Sequence, residues 1–383
     1  MQRFVNYGRN QTEDGGCFGP PDWGDWCPPA PNATGTTNCA GGDSRVSCWG
    51  YYQGVAVMRD WANLLNKTAD AADYTALAGS VQKAWQHLKV SSSSISRLGG
   101  KAEKPGPKSS RNWIQTLNSL EIDIMGPDEN GTLVDAIVAD VVGHGGHLQT
   151  GIIGTKYLFR SLSRAGRADV AWTAAATPDF PGYGWMIGQG ATTLWENWQG
   201  TRYQPGGSEG QSGSSWNHIM YGSQGSFYYE HVAGIRMVAP GWSRVALDPS
   251  VLRTPKGVPT VCERRLLPLT AASARTHTPQ GVVALAWECD PGVAANTAGT
   301  DEGIASSGPT LTLRATVPIG VMADLYLSAR FASASIKEGG APIWADGHFV
   351  SGVAGITAGA LLESGDVRFE LAAGTYEITT GTQ

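Results

Sequence analysis

Charged residues are scarce in this chain of 383 residues, and long apolar runs are absent. Lys, Arg, Asp and Glu make up 16% of the sequence, and the formal net charge is −5. A weakly acidic chain offers no basic surface for nucleic acid or for an anionic membrane. No stretch of 18 or more apolar residues occurs, so the sequence predicts no membrane-spanning helix. The low charge instead favours a neutral or weakly polar binding partner.

The chain also lacks Cys-x-x-Cys pairs and an apolar leader segment. The six Cys are spaced too widely for a structural zinc site, and they form an even set, which is typical of disulfides. Because short loops close readily, we expect the local pairs Cys17–Cys27 and Cys39–Cys48, with Cys262–Cys289 joining strands further along. Six Cys nevertheless allow 15 connectivities.

Two features favour an extracellular location although no secretory signal is present at the start of the sequence. One is the even Cys count. The other is a set of four Asn-x-Thr patterns that could accept N-linked glycans, at Asn10, Asn32, Asn66 and Asn130. We therefore expect a secreted protein, and we interpret the missing signal as a sign of truncation.

Tryptophan is abundant, with 14 Trp against 8 Phe, and it concentrates around one acidic residue. In the segment 190–198, Glu196 lies between Trp195 and Trp198, and Ser215-Trp216-Asn217-His218 follows. Sugars offer apolar C–H faces to indoles, while their glycosidic oxygen needs a positioned acid or base. The segment thus indicates a carbohydrate-processing site. The alternative is that Glu196 caps a helix and both indoles are core.

A second Trp cluster lies in a loop rich in Pro, Gly and Cys. The segment 17–29 contains two Asp-Trp neighbours, Asp22-Trp23 and Asp25-Trp26, between prolines that restrict the backbone. Indoles in an irregular loop have less reason to be core than indoles on a periodic helix face. We therefore expect a rigid binding loop, since binding residues concentrate on loops held by a scaffold.

From Tyr51 to about Val238 the apolar spacing is mainly helical. It predicts buried helix faces in several segments, with Thr132 as an N-cap: Tyr74 to Leu88, Leu133 to Val141, Leu158 to Leu162, Asp169 to Ala176 and Phe227 to Ile235. Successive helices with short connections indicate antiparallel hairpins. Residues 90–111, rich in Ser, Lys, Gly and Pro, are interpreted as a solvated insertion.

The character of the sequence changes after Pro240-Gly241. Apolar and polar residues alternate over 282–287, 311–317 and 367–378, and Ala373-Gly374 suggests a hairpin turn in the last of these. Several short strands at this spacing predict a β-sandwich. We place the boundary at residue 240, with a helical domain over 1–240 and a β-sandwich over 241–383.

Taken together, the motifs resemble one enzyme family. The Gly-Asp-Trp loop ending at Trp26, the segment His147 to Lys156, the Gly-Ala-Thr-Thr-Leu-Trp-Glu segment ending at Glu196, and Asn217-His218 are similar to the C-terminal half of the inverting α-L-rhamnosidases of glycoside hydrolase family 78. They occur in the family's order. The resemblance implies an (α/α) toroid of helical hairpins, here incomplete, followed by a C-terminal β-sandwich.

The resemblance also implies roles for individual residues. Glu196 would be the general base that activates the attacking water, and His218 would hydrogen-bond the bound rhamnose. Trp26 would supply an indole of the sugar subsite, with Asp25 as a sugar contact or a loop-stabilising residue. Trp23 and Trp185 are further sugar-binding candidates because they lie near these segments. The substrate would be a rhamnose-containing glycan or glycoside.

The sequence departs from the family in one respect. The family's general acid lies upstream of these motifs, in an acidic segment that has no counterpart in this sequence. We therefore expect a fragment, with the acid in a missing N-terminal part. Two other functions stay open, a carbohydrate-binding protein without turnover and another helical-toroid glycosidase. No cofactor is indicated, and His144 and His147 lack a third ligand for a metal.

Overall fold

The computed structural model describes most of the chain. The described residues are 1–12, 16–17, 24–29, 44–90, 113–128, 130–200, 215–255, 258, 261, 267–291, 309–332 and 335–381. They form two compact units, the first made of Met1–Ser161 and Thr177–Gly222 and the second of Leu162–Ala176 and Ser223–Gln383. The predicted insertion at 90–111 lies almost wholly outside the described residues.

Helices form the first unit, α6 ends in the second unit, and α7 belongs to the second unit. Their bounds in chain order are α1 Gln2–Asn10, α2 Ser44–Leu64, α3 Thr68–Val90, α4 Ile114–Met125, α5 Thr132–Gly143, α6 Ile152–Arg164, α7 Ala168–Ala176 and α8 Tyr183–Gly188. Two antiparallel hairpins, α2 with α3 and α4 with α5, pack along their lengths. The fold class predicted for this part of the chain, successive helical hairpins, is confirmed.

The periodic apolar faces explain why these helices pair. On α3, Tyr74, Leu77, Val81 and Trp85 recur at three- and four-residue steps, and all four are buried in one core. The same core takes side chains from α2, α4 and α6. The predicted face of α5 is also confirmed, but the prediction of Thr132 as the N-cap is wrong, because Thr132 is the first helical residue and Gly131 is the N-cap. The Asp128 carboxylate accepts hydrogen bonds from the backbone N–H groups of Thr132 and Leu133.

The disulfide predictions for the N-terminal Cys are wrong. Cys17 is bonded to Cys48, so the expected pairs Cys17–Cys27 and Cys39–Cys48 do not form. Cys48 lies on the buried face of α2, and Cys17 packs against the core that α2 shares with α3. Cys27 is buried elsewhere, and its carbonyl oxygen accepts a hydrogen bond from Tyr221. Tertiary packing, rather than short sequence separation, therefore decides the pairing.

Other Cys are oxidised as well. Cys27 and Cys289 are each disulfide-bonded. Cys39 and Cys262 lie outside the described residues, so the pair Cys262–Cys289 stays a prediction.

Strands and short helical turns dominate the second unit. Helical turns comprise α9 Gln224–Phe227, a π-helical turn Tyr228–Ala233 and α10 Ala329–Ala332. The strands are β1 Ile235–Met237, β2 Arg244–Leu247, β3 Ala271–Thr278, β4 Gly281–Asp290, β5 Thr310–Val317, β6 Met322–Leu327, β7 Ile336–Glu338, β8 Ala341–Ala345, β9 His348–Phe349, β10 Ile356–Leu361, β11 Val367–Leu371 and β12 Gly374–Thr380.

These strands form two sheets that pack as a sandwich, as predicted. One sheet has the order β1-β2-β6-β11-β10 and the other β3-β4-β5-β12-β7-β8-β9. Between the sheets, Phe369 of the first meets Trp344 of the second edge to face at 6.1 Å.

Two predictions about this region are wrong. β11 and β12 do not pair as a hairpin but belong to different sheets, because the chain crosses the sandwich at Ala372-Ala373. Ile235 begins β1 rather than ending a helix, because Gly234 adopts a left-handed conformation that stops the π-helical turn. The division of the chain at residue 240 remains a sequence prediction.

Within the described part of the chain, no helix combines the length and the apolar character needed to cross a membrane.

Candidate active site

The loop 24–29 is held against the start of α6 by one buried carboxylate. Asp25 accepts hydrogen bonds from the backbone N–H groups of Gly151, Ile153 and Gly154 at 2.7 to 2.9 Å and from the Thr116 hydroxyl at 2.5 Å. A carboxylate at a helix N-terminus pairs with N–H groups that have no partner inside the helix. The first turn of α6 therefore anchors the loop.

Two glycines allow this close approach. A Cβ on Gly151 would overlap the carbonyl groups of Asp25 and Trp26, and a Cβ on Gly154 would overlap the Thr116 hydroxyl and the Asp25 carboxylate. Both overlaps would be well inside 3.0 Å, a separation that real Cβ atoms essentially never show. The Gly-x-x-Gly spacing in the sequence is thus explained by the docking of a loop.

Asp25 is 1% exposed, and both of its carboxylate oxygens accept hydrogen bonds from the protein. Burial raises the pKa of Asp25, and the hydrogen bonds from Thr116, Gly154, Gly151 and Ile153 oppose that rise. This geometry leaves no exposed oxygen for a sugar. Of the two roles that the sequence left open for Asp25, we assign loop stabilisation.

The anchored loop places Trp26 beside Glu196. The Trp26 carbonyl accepts a hydrogen bond from Ile152 N at 2.9 Å, which fixes its backbone. Its indole Nε1 donates to Glu196 Oε1 at 3.4 Å, across 170 positions of sequence. Both side chains are half-buried. The structure therefore brings together two residues that the sequence predicted for one site.

Backbone pairing brings the His218 segment to Glu196. Glu196 N donates to Ser215 O at 2.9 Å, and His218 N donates to Leu194 O at 2.9 Å. Thr193 Oγ1 donates to Trp216 O as well. These bonds pair residues 193–196 with residues 215–218, and we call this paired region the base ladder. Ser215 N also donates to Glu196 Oε2 at 2.9 Å, so each carboxylate oxygen accepts one N–H.

The two indoles that flank Glu196 in sequence belong to the core, as the alternative interpretation of this segment predicted. Trp195 is 5% exposed and Trp198 is fully buried. Trp198 Nε1 donates to Thr150 O at 2.9 Å. Thr150 directly precedes Gly151, against which the loop 24–29 packs. The other half of that interpretation does not hold, since Glu196 lies in the base ladder and caps no helix.

His218 is half-buried, and its Nδ1 has no hydrogen-bond partner in the described part of the chain. An unpaired buried ring nitrogen is costly unless a ligand or water satisfies it. The buried indole Nε1 of Trp185, on α8, also has no hydrogen-bond partner in the described residues, and the ring packs edge to face on Phe180 at 5.9 Å. Trp23 lies outside the described residues. The sugar-binding roles of all three stay predictions.

An aromatic cluster missed by the sequence reasoning supports these segments. Tyr221 packs on Trp198 with ring centroids 4.2 Å apart, and Tyr183 meets Trp198 edge to face at 5.3 Å. Tyr221 donates its hydroxyl to Cys27 O at 2.7 Å, and Tyr183 donates to Tyr221 O at 2.8 Å. Burial raises the pKa of Tyr221 well above its usual range, so the hydroxyl remains a donor. Tyr221 thus ties the loop of Trp26 to the His218 segment.

The His144 and His147 pair has other partners. His144 Nδ1 lies 3.4 Å from an Asp140 oxygen, and His147 Nε2 lies 3.5 Å from an Asp179 oxygen. Among the residues that the structure describes, no group of three potential metal ligands forms.

Comparisons with known proteins agree with this architecture. A model of the family described as bacterial alpha-L-rhamnosidase 6 hairpin glycosidase domain matches residues 1–232. Among curated proteins, an alpha-L-rhamnosidase of Formosa agariphila is 27% identical over 227 residues, covering 59% of this chain and 22% of the relative. One from Streptomyces avermitilis is 33% identical over 182 residues, covering 47% of this chain and 16% of the relative.

Solved structures show the same fold. The structure of an alpha-L-rhamnosidase from Dictyoglumus thermophilum aligns with a TM-score of 0.70 at 24% identity, over 99% of this chain and 36% of that one. That of the Streptomyces avermitilis enzyme, complexed with L-rhamnose, aligns with a TM-score of 0.66 at 22% identity, over 99% of this chain and 30% of that one. The chain thus spans about a third or less of the length of these relatives.

Proposed function

Because this chain belongs to the bacterial α-L-rhamnosidase six-hairpin glycosidase family, we propose that it carries the general-base side of an inverting α-L-rhamnosidase site. Glu196 is the base, Trp26 and His218 contact the reactive sugar, and the substrate is a glycan or glycoside with a terminal α-L-rhamnose. The observation that carries the proposal is the hydrogen bond from the Trp26 indole to the Glu196 carboxylate.

The surroundings of Glu196 suit a base. Two N–H donors, Trp26 Nε1 and Ser215 N, hold one carboxylate oxygen each and fix the plane of the group. A carboxylate fixed in one orientation can accept a proton from a water molecule that it hydrogen-bonds. The side chain is half-buried, so a water molecule can reach it. Each oxygen keeps a lone pair with which to orient that water.

In the proposed reaction, Glu196 removes a proton from water as the oxygen attacks the anomeric carbon. The bond from that carbon to the leaving oxygen breaks on the opposite face of the ring, and a second carboxylic acid protonates the leaving oxygen. In inverting enzymes the two carboxyl groups are about 6.5 to 9.5 Å apart. We place this acid in the part of the longer relatives that the chain does not span.

Trp26 and His218 provide the sugar contacts. An indole face stacks on the apolar C–H face of a pyranose, while a ring nitrogen can pair with a hydroxyl. The unpartnered Nδ1 of His218 supports that second role. Trp185 is a weaker candidate, supported by its buried indole N–H.

We further propose that the protein is extracellular. The bonded pair Cys17–Cys48 and the oxidised Cys27 and Cys289 support an oxidising compartment. Thiol labelling of the protein in its native host, before and after reduction, tests this. Labelling of all six Cys before reduction would contradict it.

The experiment compares this chain with a version extended upstream by the helices that its relatives contain. Both are assayed on an aryl α-L-rhamnoside, and the anomer first released is identified by NMR. We expect the chain alone to hydrolyse little or nothing and the extended version to release the inverted anomer. Glu196→Gln should lower the rate of the extended version by about 10²- to 10⁴-fold. Glu363→Gln, a matched change at an exposed position, should leave it unaltered.

Each outcome has a distinct meaning. An undiminished Glu196→Gln enzyme would show that another residue is the base. Binding of L-rhamnose without turnover by either version would favour a carbohydrate-binding protein, and turnover of a different glycoside would favour another helical-toroid glycosidase.

A further inference from the structure

A second concave feature is lined by the two Trp residues of the base ladder, Trp195 and Trp216. It is a cavity of about 220 Å³ that lies wholly within the first unit. Its lining consists of Gln189, Gly190, Ala191, Thr192, Thr193, Trp195, Gln199, Gly200 and Trp216. Trp26, Glu196 and His218 are not among its lining residues, although the cavity adjoins the base ladder that carries Glu196 and His218.

The back of the cavity is a fixed indole. Trp195 is 5% exposed, and Gly200 lies so close to its ring that any Cβ there would overlap it well inside 3.0 Å. Gly200 also has a left-handed backbone, with φ of 63°. Trp195 therefore cannot shift without displacing the backbone behind it.

Trp216 stacks on this fixed indole. The two ring centroids are 5.9 Å apart, with an angle of 28° between the planes. The backbone of Trp216 is held by the hydroxyl of Thr193, and the next residue, Asn217, donates its N–H to Ser215 Oγ at 3.2 Å. Yet Trp216 remains 41% exposed. An exposed indole that is fixed in orientation is a platform for an apolar ring face, because it loses little entropy on binding.

The rest of the lining is polar and uncharged. Gln189 and Thr192 are exposed at the cavity and offer an amide and a hydroxyl that both donate and accept hydrogen bonds, while the Thr193 hydroxyl, which donates to Trp216 O, can only accept. No acidic or basic side chain is among the lining residues that the structure describes. This chemistry fits a neutral polyhydroxylated ligand rather than an anion or a cation.

The volume limits the size of that ligand. Sites for drug-sized molecules span about 300 to 1,000 Å³, so 220 Å³ holds one small ring. From the stacked indoles, the neutral polar lining and the volume, we propose that this cavity is a second saccharide site, which takes one neutral pyranose on Trp216. The site binds without reacting, and it does not depend on the role proposed for Glu196.

The experiment follows the indole N–H signals of the full chain by NMR while L-rhamnose, or D-glucose in a parallel series, is added. Trp216 is assigned through Trp216→Ala, and Trp61, which is 63% exposed on α2 and away from the cavity, is the matched control. We expect the Trp216 signal to shift and to saturate, and the Trp61 signal to stay in place. Thr193→Val, which removes the hydroxyl that holds Trp216, should weaken this binding by about tenfold.

The two proposals can fail separately. A Trp216 shift that persists in Glu196→Gln and in Trp26→Ala supports a second site even if the active-site assignment is wrong. A shift with L-rhamnose alone identifies a rhamnose-selective site, and a shift with both sugars identifies a general pyranose site. A Trp216 signal that moves with neither sugar, or that moves only together with Trp26, would overturn the second site.

Discussion

Replacing Gly154 by Ala should loosen the loop that carries Trp26. The added Cβ would overlap the Thr116 hydroxyl and the Asp25 carboxylate, which share a buried hydrogen bond of 2.5 Å. Neither group can move into solvent, because both are buried. Either the first turn of α6 must shift or the carboxylate must leave its N–H donors.

The magnitude follows from the two costs. Overpacking a core typically costs about 1 to 3 kcal/mol, and loss of a hydrogen bond to a charged group costs about 1.5 to 3 kcal/mol. Because the structure relaxes to avoid the larger of these two costs, we expect the free energy of unfolding to fall by about 1 to 3 kcal/mol. Displacing the loop also moves Trp26 away from Glu196, so binding of L-rhamnose at Trp26 should weaken.

A matched control makes the test sharp. Gly79 lies inside α3, and a Cβ there would meet nothing within 4 Å. The same change, Gly79→Ala, should therefore raise the free energy of unfolding by about 0.5 to 1 kcal/mol, since Ala favours a helix interior. Urea unfolding followed by near-UV circular dichroism measures both variants. If Gly154→Ala unfolds at the same urea concentration as the parent and binds L-rhamnose equally well, the loop does not dock as described.

Three further outcomes are expected. Tyr221→Phe removes the buried hydrogen bond to Cys27 O, so the free energy of unfolding should drop by about 1 to 3 kcal/mol. The indole N–H signal of Trp26 in NMR spectra should also shift less when L-rhamnose is added. If neither value changes, Tyr221 does not support the site. Burial, with Arg236, Arg253 and Arg164, lowers the pKa of His231 to about 3. Below pH 6.5 this histidine therefore takes up a proton in the unfolded chain but not in the folded one. The free energy of unfolding should then fall by at most about 1.4 kcal/mol for each pH unit. Urea titrations from pH 7 to 4.5 measure this slope, and His231→Gln should flatten it. Reducing the Cys17–Cys48 bond, which closes 31 residues, should cost about 3 to 4 kcal/mol in thermal or urea unfolding, and a transition that does not move on reduction would contradict the structural role of that bond.

The parts of the fold that the sequence predicted are those governed by local periodicity. Tyr74, Leu77, Val81 and Trp85 repeat with the helical period and share one core, and β4 and β5 alternate as half-buried strands do. The Cys17–Cys48 bond was not predictable, because it depends on how the N-terminal loop packs against α2. Likewise, nothing local in Ala372-Ala373 tells a hairpin turn from a crossing between sheets.

The candidate site was likewise predictable from the sequence only in part. Glu196 and Trp26 were singled out from their sequence neighbours, and the structure joins them by a hydrogen bond. Asp25 was named for the same loop, but only its buried position separates a loop anchor from a sugar contact. Tyr221 carried no sequence signal beyond its place three residues after His218, because its role rests on partners distant in sequence.

The base ladder has a consequence for engineering. Its register is set by main-chain atoms, from Glu196 to Ser215 and from Leu194 to His218, so these bonds do not depend on the side chains at the paired positions. Side-chain changes at Leu194 and Ser215 should therefore leave the spacing of Glu196 and His218 unchanged. A library confined to those two positions would vary the side chains beside the site without altering Glu196 or His218, which separates selection for substrate preference from selection for rate.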